Sequence, residues 1–141
     1  MKDFESIIKE FLDQDEFSLI VYKEDQVIHQ ISDRGIKPLY ELAYFSKTNL
    51  HASTVLDKII GEAAARICID KKVDRVFGKV MSQKAYDRLI AEGIEARYEK
   101  LTPVIKNRTN TGMCPVEKIS SESENIQEMK NKIQKFLDSL K

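Results

Sequence analysis

The 141-residue sequence has no tryptophan, only three prolines, five glycines and two cysteines, and no charge of either sign in excess, with 23 basic and 23 acidic residues. Each shortage excludes something. Two cysteines, Cys68 and Cys114, are too few for a disulfide framework and form no Cys-x-x-Cys pair, so reduced thiols are expected. A balanced charge gives no general attraction to nucleic acid or to an anionic membrane. No run approaches the ~20 apolar residues of a membrane span, and the charged start Met1-Lys2-Asp3-Phe4-Glu5 is unlike a signal peptide. The expectation is a soluble, cytoplasmic chain. With 42% hydrophobic residues it is long enough for one domain with a real core.

Hydrophobic spacing supplies the elements. Phe4, Ile7, Ile8, Phe11 and Leu12 recur at helical intervals and predict an amphipathic helix over about 3–13. Phe17 to Tyr22 and Val27 to Ile31, separated by Glu24-Asp25, read as an antiparallel hairpin. A helix entered near Pro38 follows, with Leu39, Leu42, Ala43 and Phe45 on it. Ser53 or Thr54 is a plausible cap for a long helix carrying Val55, Leu56, Ile59, Ile60, Ala63, Ala64, Ile67 and Cys68, expected as the central buried helix. Cys68, on that apolar face, reads as core. Val73 to Met81 is an interior strand, Ser82 caps the next helix, Gly93 ends it, and Ile94 to Leu101 is a further strand, so parallel pairing is expected. Ile126, Met129, Ile133, Phe136 and Leu140 give the C-terminal segment, about 121–140, an apolar seam that packs on its own sheet or serves a homodimer.

Unusual side chains gather in Ile105 to Glu117. A polar loop with Asn107, Arg108 and Gly112 leads to Cys114-Pro115, and proline in a first helical turn places Cys114 at an N-cap, where the helix dipole favours a thiolate. Arg34, Gly35 and Lys37 precede another helix start, a setting suited to a phosphate or carboxylate. In the plainer reading Arg34 and Lys37 face water, Asn107 satisfies loop backbone, and Cys114 and Glu117 form a capping arrangement.

Three pieces, Arg34-Gly35-Ile36-Lys37-Pro38-Leu39, Asp57-Lys58-Ile59-Ile60-Gly61-Glu62-Ala63-Ala64-Ala65, and Asn107-Arg108 with Gly112-Met113-Cys114-Pro115-Val116-Glu117, resemble those of a small family of unknown function within the cytidine deaminase-like fold. The similarity runs from about Ser18 to Lys118. It implies an α/β domain of three layers, α/β/α, with a mixed sheet opened by the hairpin. It also implies that the central helix and the helix after Cys114 present their starts to one pocket, with Asp57 and Lys58 opposite Cys114. Zinc deaminases carry a His-or-Cys-x-Glu and a Pro-Cys-x-x-Cys motif. Here the order is Cys114-Pro115, Glu117 stands where a thiolate is needed, and His51-Ala52-Ser53 lacks the glutamate, so zinc is disfavoured and no metal ligand is assigned. The expected site has Cys114, Asp57, Lys58 and Glu117 as chemical actors. Arg34, Gly35, Lys37, Asn107 and Arg108 would bind a small anionic or nucleotide-like molecule. Nucleic acid and membrane are not expected as partners, and the cofactor is unknown.

Overall fold

A computed structural model describes residues 3–107 and 109–141. In chain order its elements are α1 (Phe4–Leu12), β1 (Leu19–Lys23), β2 (Gln26–Ile31), α2 (Lys37–Tyr44), β3 (Thr54–Ile60), α3 (Glu62–Asp70), β4 (Arg75–Ser82), α4 (Gln83–Ala91), β5 (Glu95–Thr102), α5 (Pro115–Ser121) and α6 (Ile126–Ser139). They form an α/β domain around one five-stranded sheet of order β2-β1-β3-β4-β5. β1 runs antiparallel to both β2 and β3, while β3, β4 and β5 are parallel.

The hairpin forms because Glu24 and Asp25 both take positive φ, 53° and 66°. That is the two-residue turn whose twist matches the strands it joins. The Asp3 carboxylate accepts from the Glu5 amide and starts α1, whose Phe4, Ile7 and Phe11 pack with Ile20, Tyr22, Leu56 and Phe77 on one face of the sheet. The other face carries the larger core, where Val21, Val55, Ile60, Val76 and Met81 meet Leu39, Ala63, Ala64, Ile67, Cys68, Leu89, Met129 and Ile133. The layers are therefore α1, the sheet, and the helices α2 to α6. α6 buries Met129 and Ile133 in its own domain, and Leu140, the residue after its last turn, is exposed.

One element departs from the sequence reading. Residues 54–60 are a strand, and the helix begins only at Glu62. Thr54, Val55, Ile59 and Ile60 are β-branched, and a central strand buried on both faces reads as a continuous apolar run that helical spacing also fits. Gly61, with φ −99° and ψ −174°, is the junction. Asp57 and Lys58 consequently sit on a strand, not in a first helical turn. The crossovers β3-α3-β4 and β4-α4-β5 place the starts of α3 and α4 together at the carboxyl ends of the parallel strands, the edge where α/β sheets hold ligands.

Candidate functional site

At that edge the chain after β5 returns over the sheet. Lys106 and Met113 pair across a short loop, and the Cys114 amide donates to the Ile105 carbonyl (3.0 Å), which sets the entry into α5. Pro115 opens this helix with Cys114 at the N-cap, as proline's fixed φ favours. One turn in, Glu117 reaches across to the start of α3.

There the Ala63 amide donates to Glu117 Oε2 (3.3 Å), and the Glu62 amide also serves the carboxylate. These are orphan N–H groups of a helix start, and the positive end of its dipole adds to them. The fit requires Gly61: a Cβ built there overlaps Glu117 Oε1 and Cδ and stands 3.1 Å from Oε2. Burial raises the Glu117 pKa to about 7. The Ala63 and Glu62 amides and the charge of Lys84 act downward, and the negative charge of Glu62 acts upward.

Glu62 is its counterpart. The side chain is buried, with Arg88 Nε donating to Oε2 (2.8 Å) and Ser120 Oγ to Oε1 (3.0 Å). Burial is the largest single influence and acts upward, but these two bonds and the charges of Arg88 and Lys84 together hold its pKa below the ordinary value. Two neighbouring carboxylates are thus driven apart, one ionised and one able to exchange a proton near neutrality, the division seen in acid–base pairs. They line a cavity of about 140 Å³ with Ser82, Lys84, Pro103, Val104, Ile105, Met113 and Ser121. Ser82 also accepts from the Ala85 amide (3.1 Å) and so starts α4.

The expected site residues are distributed as follows. Glu117 is in the site. Cys114 begins the same helix, partly exposed and packed against the main core. The two helix starts implied by the resemblance do meet, but Gly61, Glu62 and Ala63 stand there in place of Asp57 and Lys58. Lys58 Nζ donates to the Asp15 carbonyl (3.4 Å), in the connection after α1. Asp57 lies on β3, close enough for its charge to act on Cys68 of α3. Burial raises its pKa to about 7 against the Ile59 and Lys58 amides, and burial together with the Asp57 charge raises Cys68 to about 12. Arg34, Gly35 and Lys37 are exposed before and at the start of α2. Gly35 has φ +82°, and the Arg34 amide donates to the Asp33 carboxylate (2.9 Å). Asn107 holds its own loop: Oδ1 accepts from the Thr111 amide (3.0 Å) and Nδ2 donates to Thr111 Oγ1 (3.2 Å). Arg108 lies outside the described residues. Glu62 and Lys84 were missed as site residues. Glu62 lies within the Gly61-Glu62-Ala63 piece, whose glycine after a β-branched run marks the strand-to-helix junction.

The sheet order and the helices that cover it define a deaminase-like α/β domain. The dCMP deaminase from the cyanophage S-TIM5, in its apo form, superposes with a TM-score of 0.51 over 70% of this chain and 99% of its own, at 16% identity, a likeness of fold. Within that class the chain belongs to the TM1506 family, a domain of unknown function (DUF1893), whose model matches residues 7–137. The crystal structure of a DUF1893 family protein, TM1506 from Thermotoga maritima, has a TM-score of 0.80 at 30% identity, covering 93% of this chain and 87% of the other. No curated protein matches the sequence. Zinc deaminases hold their metal with a His or Cys and two further Cys. Here the Glu62 oxygens are engaged by Arg88 and Ser120, Glu117 is engaged by amides, and no three His, Cys, Asp or Glu among the described residues converge as a metal group. The residues present do not fit that metal. No helix among the described residues is long and apolar enough to cross a membrane.

Proposed function

We propose that this protein binds a small polar molecule in the cavity between the starts of α3 and α4, and that Glu117 exchanges a proton with the bound molecule. The observation that carries this is the partly buried Glu117 carboxylate, with its pKa near 7, beside an ionised Glu62 on a cavity wall at the carboxyl ends of parallel strands. Lys84 is the cation of that wall and supplies the complement for an acidic or hydrogen-bond-accepting group. The cavity is smaller than the ~300–1,000 Å³ typical of sites that enclose a drug-sized ligand. It suits a single ring or short chain, so a nucleotide-like molecule would insert only its base or sugar. Thermal unfolding with nucleobases, nucleosides, small carboxylates and organic phosphates tests the reading. At least one compound is expected to stabilise the protein, with the gain lost in Lys84→Gln and its pH dependence removed in Glu117→Gln. A panel without a stabiliser refutes it.

A second reading gives the Cys114 thiol the chemical role. It is favoured by position: Cys114 is partly exposed at the start of the helix carrying Glu117, whereas Cys68 is fully buried. Here Cys114→Ser abolishes turnover of the identified ligand and retains its binding. Unchanged turnover removes the cysteine from the mechanism.

A further inference from the structure

A second, larger opening lies outward from Glu62, between α3, α4 and the start of α6. It has a volume of about 320 Å³ and is lined by Arg66, Ile69, Asp70, Arg88, Ala91, Glu92 and Ile126. Arg66 is only 7% exposed, so its charge is nearly withdrawn from water. Its Nη1 donates to the Ser120 carbonyl (2.8 Å), the Ser123 carbonyl (3.1 Å) and Ser120 Oγ (3.4 Å), tying α3 to the end of α5. Nε and Nη2 donate to nothing among the described residues. No fully buried side-chain nitrogen or oxygen among the described residues lacks a partner, so these two groups are not wholly withdrawn from solvent, and Arg66 is one of the residues that line the opening.

The other guanidinium on this wall, Arg88, uses Nε for Glu62 and leaves both Nη groups without a partner among the described residues. The two cations are close enough for Arg88 to depress the Arg66 pKa, after the larger effect of burial. A structural arginine is ordinarily neutralised by a carboxylate or fully bonded to carbonyls. Arg66 feels the charges of Glu62 and Glu128 but among the described residues bonds directly to neither, and its Nε–Nη2 edge is one that binds an oxyanion through two parallel bonds.

We infer that this opening is a binding site for a small organic anion, whose carboxylate or phosphate is held by Arg66 and Arg88 and whose apolar body lies on Ile69, Ala91 and Ile126. Asp70, whose Oδ2 accepts from Tyr44 Oη (2.8 Å), and Glu92 share the lining and select against polyanions. The site is separate from the cavity of Glu117 and shares none of its lining residues.

Titration of the folded protein with benzoate and with phenyl phosphate at constant ionic strength, read by the Nε–Hε resonances of Arg66 and Arg88, tests the inference. Saturable shifts of both resonances are expected with at least one probe, and the stronger probe identifies the oxyanion. Ala91→Asp, at an exposed lining position, is expected to weaken that affinity by roughly tenfold or more through like charge, while Lys84→Gln leaves it unchanged. No saturable shift with either probe, or equal affinity in Ala91→Asp, overturns the proposal.

Discussion

Alanine at Gly61 tests the junction between α5 and α3 directly. The backbone there is extended, with φ −99°, so alanine introduces no strain of its own. Its methyl group instead occupies the space of Glu117 Oε1 and Cδ, and the carboxylate, at the end of a flexible side chain, must leave the Glu62 and Ala63 amides. Losing hydrogen bonds to a charged group costs about 1.5–3 kcal/mol. Alanine is also a poorer N-cap than glycine, a loss opposed by about 0.4–1 kcal/mol from the stiffer unfolded chain. The net expectation for Gly61→Ala is a loss of about 1–3 kcal/mol in urea unfolding. Glu117→Ala removes the group that the methyl displaces, so in that background the same substitution is expected to be near neutral. The coupling energy is then at least about 1 kcal/mol, well beyond the ~0.3–0.5 kcal/mol within which independent sites add. Equal costs in the two backgrounds would show that Glu117 does not occupy the start of α3.

Glu117 also makes stability depend on pH. Its folded pKa of about 7 lies above the reference 4.5, so the folded chain keeps a proton that the unfolded chain has released, and stability falls as pH rises from about 4.5 to about 7, then levels. The drop reaches up to about 3 kcal/mol. Asp57, raised from 3.8 to about 7, acts in the same direction; urea midpoints across this range should fall in the wild type and flatten in the Glu117→Gln, Asp57→Asn double variant, and a parallel slope in both proteins would refute the assignment. Iodoacetamide at neutral pH is expected to label Cys114 at least about tenfold faster than Cys68, whose buried thiol is raised to about 12; peptide mass spectrometry showing similar rates would contradict the packing of α3. Phe77, buried and edge-on to Phe11 with ring centroids 6.1 Å apart, joins α1 to the sheet. Phe77→Ala should cost about 3–5 kcal/mol in denaturant unfolding, and a loss under about 1 kcal/mol would mean that α1 is not docked.

The elements legible in the sequence are those whose pattern has one reading. The turn at Glu24-Asp25, the Ser82 cap and the 3–4 spacing of α1 each match one local geometry. β3 did not, because burial on both faces removes the alternation that distinguishes a strand from a buried helix. That single misreading placed the start of α3 near Thr54 instead of at Glu62 and carried Asp57 and Lys58 into the expected site. Glu117 was legible as a residue in an unusual stretch. Its partners were not, since the Glu62 and Ala63 amides lie far from it in the chain and meet it only when α5 folds back. Glu62 gave no signal apart from its glycine neighbour; what makes it distinctive is Arg88 on α4 and Ser120 on α5, two contacts only the fold supplies.

The same contacts show how the two openings relate. Glu62 faces the cavity of Glu117 on one side and, through Arg88, borders the opening of Arg66 on the other. An anion that draws the Arg88 guanidinium outward leaves the Glu62 charge less compensated, and Glu62 then repels the Glu117 carboxylate more. The Glu117 pKa should then rise. Phenyl phosphate or benzoate, whichever binds at Arg66, is therefore expected to raise the Glu117 pKa, measured by the carboxyl carbon shift against pH, without contacting that residue. Coupling of this kind is reciprocal, so a ligand that binds only ionised Glu117 must weaken anion binding at Arg66 by the same factor. An unchanged Glu117 titration at saturating anion would show that Arg88 holds Glu62 rigidly and that the two openings act alone.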